Sequence, residues 1–306
     1  MDCEQVWISD NDESSQLYKL GYIDSSDQFE YYSNNDNETI ENFINLTYVN
    51  IPSIMNVLEK RYSNNNIYTF NGDILISINP FKNVNIYDKV YNVEKPHVYS
   101  ICDKMYSNIT KKNQSVLVSG ESGSGKTENT KYMLTYLCKK YANSTLLSDK
   151  IINSNFLIEL FGNAKTRRND NSSRFGKFIK LFIKDENICG ANIDKYLLEK
   201  SRISIINNNE KTYHIFYLIC NNKDRLRKYN FKSIKEYIIL NESDSNYDID
   251  EFNDLDKLLS ILDQFNFSNN EIDEIFYKLK LILELLNCSS SVELHTEINN
   301  LLFTLN

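Results

Sequence analysis

The sequence of 306 residues predicts an α/β fold, a mixed central sheet flanked by helices with a helical C-terminal portion. Three observations carry that expectation. An apolar run, SVLVS (115–119), feeds a glycine-rich turn that opens into a helix-spaced segment reaching Tyr141. Upstream, YTFNGDILISINP sets an Asn-Gly pair between two apolar runs, which signals a hairpin. Downstream of Tyr213, KLLSILDQF and the segment from Glu271 to Leu286 repeat apolar residues at helical spacing.

The elements follow in order. Residues 1–42 are polar and weakly patterned apart from Val6 to Ile8, and either form a small N-terminal β subdomain or stay partly loose. Ile44, Ile51, Ile54, Val57 and Leu58 predict a helix from Phe43 to Tyr62. Ile74 to Ile78 reads as a buried strand ended by Pro80, and PHVYSICDKMYSNIT as a helix begun after Pro96. SVLVS is a short strand. Beyond it Thr130, Leu134, Leu137 and Tyr141 keep helical spacing, NSTLLSD (143–149) is a surface loop, and Ile151 to Phe161 is a further helix. Phe178 to Ile183 and Ala191 to Ile205 read as two strands joined across DENICG. There is neither a compositional linker nor an internal repeat, so one mixed body is expected.

Composition bounds the function. Hydrophobic residues make up 41% and aromatic residues 12%, enough for a sizeable core. A net charge of -8 argues against a general nucleic-acid or anionic-membrane binder. No apolar run approaches the roughly 20 residues of a membrane span. The acidic start, MDCEQVWISDNDESS, lacks a signal-peptide pattern, so a cytoplasmic location is expected. Cys3, Cys102, Cys138, Cys189, Cys220 and Cys288 are scattered without a CxxC and read as reduced thiols rather than metal ligands. The Asn-Xaa-Thr sites at Asn37, Asn45 and Asn108 are then inert, and the asparagine-rich stretches read as solvated loops.

The chain has only 8 glycines, yet Gly120, Gly123 and Gly125 fall within six residues. In GESGSGKT (Gly120, Glu121, Ser122, Gly123, Ser124, Gly125, Lys126, Thr127) they fit the G-x-x-x-x-G-K-[ST] pattern between a predicted strand and a predicted helix. Glycines let backbone N–H groups converge on an anion, and the helix start adds unpaired donors and the positive dipole end. Lys126 supplies a charge for the β- and γ-phosphates, and Thr127 a hydroxyl for Mg²⁺. This is a strong signal for a nucleoside triphosphate held on a P-loop NTPase core, and it does not by itself name the reaction. A second polar run, NAKTRRNDNSSRFGKF (163–178), sets Ser172 and Ser173 beside Arg174, Asn169 and Asn171. Alone it reads equally well as a surface loop. Beside a phosphate loop it can supply a second Mg²⁺ ligand and groups for the γ-phosphate.

Together, GESGSGKTENTK and FGNAKTRRNDNSSRFGKF resemble the P-loop and switch I of the myosin motor domain. LTYVNIPSIMNVLEKRY, IYTFNGDILISINPF, PHVYSICDKMY, YLLEKSRI and YHIFY resemble further blocks of that family, from about Val6 to Leu286, with residues 1–42 the weakest part. Kinesins share an Asn-x-x-Ser-Ser-Arg switch, but theirs typically continues Ser-His, where this chain has Phe175-Gly176. The resemblance implies that Asn79, Pro80 and Tyr87 hold adenine, that Thr127 and Ser173 coordinate Mg²⁺, and that Asn169 contacts the phosphates. It further implies that Ser172 sits by the γ-phosphate and lytic water, and that Arg174 pairs with an acidic residue of switch II. Lys126, Ser172 and Arg174 would carry the catalytic roles. For Glu199, Lys200 and Arg202 a structural salt bridge is the expected role, and His97, His214 and His295 read as structural.

By the same resemblance, residues 1–42 form a degenerate SH3-like subdomain, and 43–306 a partial motor domain ending in part of the upper actin-binding subdomain. The parent would hydrolyse ATP to move along F-actin. Light chains or calmodulin belong to a lever helix that these residues do not encode. The family's switch II pattern, Asp-x-x-Gly-Phe-Glu, does not occur in these residues, so slow hydrolysis at most is expected of this chain by itself. A nucleotide-binding module with a scaffolding role is the open alternative.

Overall fold

The computed structural model describes residues 5–9, 18–23, 29–31, 40–47, 49–87, 94–204, 206–207, 209–241 and 254–287. The expectations for Cys3, Asn37, Cys288 and His295 lie outside them. The chain divides into two compact units, Met1–Tyr136 and Leu137–Asn306, a division that falls inside a helix and so left no linker signature in the sequence.

The first unit opens with an antiparallel meander of β1 (Gln5–Ser9), β2 (Tyr18–Ile23) and β3 (Phe29–Tyr31). Helix α1 (Ile51–Ser63) starts later than the apolar pattern predicts. Asn50 caps it by accepting from the Ser53 N–H at 2.9 Å, and a 3-10 turn, Phe43–Asn45, precedes it. Strands β4 (Tyr68–Asn71) and β5 (Ile74–Ser77) form the expected hairpin, with Asn71 opposite Ile74 and Gly72 at φ +60° in the two-residue turn. The strand is not the buried one expected, because Ile74 is exposed and Leu75 to Ile78 are half-buried. Phe43, Leu46 and Val57 make a small core. Buried Arg61 ties α1 to β4, donating Nε to Thr69 Oγ1 (2.9 Å) and Nη2 to the Tyr68 carbonyl (2.8 Å). Helix α2 (Val98–Asn108) begins after Pro96 as expected, with His97 and Ser100 as a reciprocal cap.

SVLVS is not a strand. Among the described residues nothing pairs with 115–119, and Leu117 is 91% exposed. A short apolar run becomes a buried strand only where neighbours take both its hydrogen-bonding edges and its faces. The expected mixed central sheet is likewise not formed among the described residues, whose strands pair in four separate antiparallel sheets.

Helix α3 (Lys126–Tyr141) leads from the first unit into the second. The loop expected at 143–149 shrinks to a few residues. Ser144 accepts from the Leu147 N–H at 3.2 Å and caps α4 (Thr145–Gly162), which absorbs the rest. A two-residue ladder, β6 (Asn163–Ala164) on β7 (Ser172–Ser173), follows, and then the long hairpin β8 (Gly176–Lys184) and β9 (Asn187–Tyr196). The sequence extends this second strand to Ile205, but the chain leaves the ladder after Tyr196 and makes a 3-10 turn at Lys200–Ile203. Helix α5 (His214–Asn221) is buried on every side, from His214 to Cys220, and is the pillar of the core. Around it pack Leu160, Tyr237 and the inner faces of α7 (Leu255–Gln264) and α8 (Asn269–Asn287), with the short α6 (Ile238–Asn241) between. The helical C-terminal portion is as the periodicity predicts.

Candidate functional site

In the first unit all three clustered glycines adopt positive φ, Gly120 at +155°, Gly123 at +85° and Gly125 at +90°. That backbone explains their clustering, since L side chains rarely adopt it. At Gly120 space is also short, because a Cβ would lie 2.5 Å from Ser124 Oγ. Ser124 N–H donates to the Glu121 carbonyl at 3.2 Å and closes the turn, and α3 starts at Lys126. Lys126 Nζ folds back and donates to the Gly120 and Glu121 carbonyls, each at 2.7 Å. Glu121 and Ser122 are exposed, while Gly123 to Thr127 are half-buried.

The predicted base-binding residues are tied to this loop. Asn79 donates Nδ2 to the Gly123 carbonyl at 2.7 Å and accepts the Phe81 N–H on Oδ1 at 3.0 Å. The Pro80 carbonyl accepts from Tyr62 at 3.2 Å. Tyr87 shares a hydroxyl hydrogen bond of 2.9 Å with Tyr68, and burial pushes its phenol up to about 12. Asn129, to which the sequence assigns no role of its own, joins the two parts. It accepts from Tyr68 at 2.7 Å and donates to Ser77 Oγ (3.1 Å) and the Gly125 carbonyl (3.0 Å). The signal that could have found it is its place one turn into the helix that the glycine loop opens.

In the second unit the run 163–174 is a tight hairpin rather than a loose loop. Asn163 lies opposite Ser173 and Ala164 opposite Ser172, while Thr166 N–H donates to the Asn169 carbonyl at 2.8 Å. Asn169 Oδ1 accepts the Asn171 N–H at 3.0 Å. Asn171 Oδ1 in turn accepts from Asn163 Nδ2 at 2.8 Å and, in the Nε2–H tautomer, from His214 at 3.2 Å. His214 is wholly buried, and that burial pushes its imidazole down to about 4. Read as structural from sequence, it organises this hairpin from α5. Gly162 is needed for contact, because a Cβ there would lie 2.5 Å from the Phe175 ring.

The hydroxyl pair is chemically prepared. Ser172 is 4% exposed, and its Oγ accepts from Arg174 Nη1 at 3.2 Å, which leaves its own proton to donate. Ser173 Oγ donates to the Phe175 carbonyl at 3.0 Å, which leaves its lone pairs for a cation. The acidic partner of Arg174 among the described residues is Glu199, at 2.5 Å from Nε. Glu199 also accepts from Arg202 at 2.7 Å, and Arg202 reaches Glu210 at 3.0 Å. Burial works against the charged carboxylate, but the two guanidinium groups outweigh it and hold Glu199 below its usual range. Of the three residues expected in a structural salt bridge, Glu199 and Arg202 form one that also restrains Arg174, while Lys200 forms none among the described residues. Among the described residues no group of three or more His, Cys, Asp or Glu side chains is placed to hold a metal ion. No helix among them is long and apolar enough to cross a membrane.

The model of the family described as myosin head (motor domain) matches residues 40–299. The chain is 40% identical over 244 residues to Myosin-4 of Arabidopsis thaliana, covering 75% of this chain and 21% of that protein. It is 38% identical over 325 residues to Myosin-1 of Saccharomyces cerevisiae, covering 92% of this chain and 17% of that one. The match to Myosin type-2 heavy chain 1 of Schizosaccharomyces pombe is 37% over 270 residues, 82% of this chain and 18% of the relative. The chain thus spans about a fifth of the length of these relatives.

Proposed function

The chain belongs to the myosin head (motor domain) family, and on that premise we propose that it is the ATP-binding portion of an actin-based motor. The observation that carries the proposal is the phosphate loop, with three positive-φ glycines leading into the N-terminus of α3 and Lys126 folded over them. Such a loop offers converging backbone N–H groups to a polyphosphate, and Lys126 exchanges two carbonyl partners for phosphate oxygens. Asn79, Pro80 and Tyr87 receive the base, as family membership implies. Family membership likewise implies that the hairpin 163–174 serves the same triphosphate, with Asn169 and Ser172 as phosphate contacts.

The donor set suits a hard, oxygen-seeking cation such as Mg²⁺, which would neutralise phosphate charge when bound. Thr127 and Ser173 are the proposed ligands, since hydroxyl oxygens match that cation and Ser173, as a donor, keeps its lone pairs. Ser172 holds the attacking water by its proton. Arg174 keeps Ser172 oriented, and Glu199 keeps Arg174 in place. Hydrolysis coupled to movement along F-actin is proposed for the whole protein, as is a cytoskeletal location.

Titration of the purified chain with Mg·ATP tests the first step. One site is expected, and Lys126→Ala should weaken it by about tenfold or more, the scale of a charge-assisted contact to phosphate. Unchanged affinity in that variant would remove the loop from the site. For the whole protein, actin-stimulated phosphate release should vanish with Arg174→Ala.

A further inference from the structure

Helix α3 presents Asn129, Tyr132 and Tyr136 on one face, at spacings of three and four residues. Each docks on the segment that the proposed function assigns to the base or on its supports. Tyr68 donates to Asn129, while Tyr136 stacks on Tyr99 with ring centroids 4.2 Å apart and donates to both Asp103 oxygens at 2.9 Å. Tyr132 makes the closer of the two ring stacks. Its ring lies over Tyr87 with centroids 3.5 Å apart and planes 10° from parallel.

That stack has two consequences. At 3.5 Å the rings are in van der Waals contact, so nothing planar enters between them, and one face of Tyr87 is closed to a ligand. A near-eclipsed sandwich is also not the arrangement that two phenols adopt by preference. Neighbours hold it here: the Tyr68 hydroxyl fixes the rim of Tyr87, and the Tyr99 hydroxyl donates to the Tyr87 carbonyl at 3.4 Å. A tyrosine so restrained has a single presentation, and the backing ring stands six residues beyond Lys126 on the helix that the phosphate loop opens.

We propose that Tyr132 is a positioning residue for the nucleobase, closing one face of Tyr87 so that the other is preset for the purine. This rests on the reading of Tyr87 as a base contact, and adds a residue that acts only through it. Tyr132 then matters for the base and not for the phosphates.

The test compares the affinity of the whole chain for Mg·ATP with that for Mg·tripolyphosphate, which lacks base and ribose. Tyr132→Leu should lower the ratio of the two affinities by about three- to tenfold, the range of one aromatic stacking contact. Tripolyphosphate affinity should be unchanged, and Tyr132→Phe should restore the ratio. Tyr132→Met keeps bulk and helix propensity and serves should leucine unfold the chain. Equal weakening of both ligands, or no change in the ratio, would overturn the proposal and leave Tyr132 a packing residue. A native chain with equal affinity for the two ligands would defeat the base reading itself, a result that needs no Tyr132 variant. Lys126→Ala serves as the opposite control, since it should weaken both ligands alike.

Discussion

The described histidines show how far burial alone sets a residue's chemistry. His97 and His214 are both pushed down to about 4 by loss of solvent, against an ordinary value of 6.5. Each is therefore neutral in the folded chain at neutral pH. A folded pKa below the unfolded one means that the unfolded chain binds more protons between about pH 4 and 6.5, so stability is complete above that window and falls as pH drops through it. His214 by itself should cost about 2 kcal/mol between pH 7 and pH 5. Urea melts at the two pH values should show that loss, and His214→Gln, which keeps a donor for Asn171, should remove the His214 share and retain that of His97. The role of the glycines was legible in the sequence, because three of them clustered in a chain of 8 announce unusual backbone. Tyr132 was not legible, because a tyrosine at helical spacing reads as core wherever it occurs.

At the scale of elements, the sequence located helices well and their starts poorly. Apolar periodicity marks the buried stripes of α7 and α8, and apolar composition marks α4, but a helix begins where a side chain satisfies its first N–H groups. Ser144 does this for α4, so a stretch that composition marks as loop becomes the first turn. Ser144→Ala should destabilise the second unit by about 1 kcal/mol, read as a shift in the denaturation midpoint with unchanged slope. The hairpin of β8 and β9 was visible from its apolar residues, though not its end. Beyond Tyr196 the chain turns so that Glu199, a near neighbour of Arg202 in sequence, also meets Arg174, a remote contact that no local pattern encodes. The hairpin 163–174 looked like loop because its order comes from side-chain amides and from His214, about forty residues downstream.

For the molecule as a whole, the largest departure from expectation is the segment 115–119. Val116, Leu117 and Val118 are exposed at 39%, 91% and 36%, although the three stand together as an unbroken aliphatic run. Leu117→Lys should leave the melting temperature of this chain unchanged, within the roughly ±0.5 kcal/mol of a surface change, and raise its solubility. A marked loss of stability would show that Leu117 is covered in solution. The sequence by itself determined the unusual backbone of the glycine loop, the hairpins, the succession of helices and the family, because each depends on residues near one another in the chain. Backbone permissiveness, helix periodicity and an ordered motif are all local properties. Tertiary structure alone decided that 115–119 pairs with nothing among the described residues, that His214 braces the hairpin 163–174, that Glu199 holds Arg174 and that Tyr132 backs Tyr87. Those depend on contacts between residues far apart in sequence, and their geometry is fixed by burial and packing that no local pattern carries.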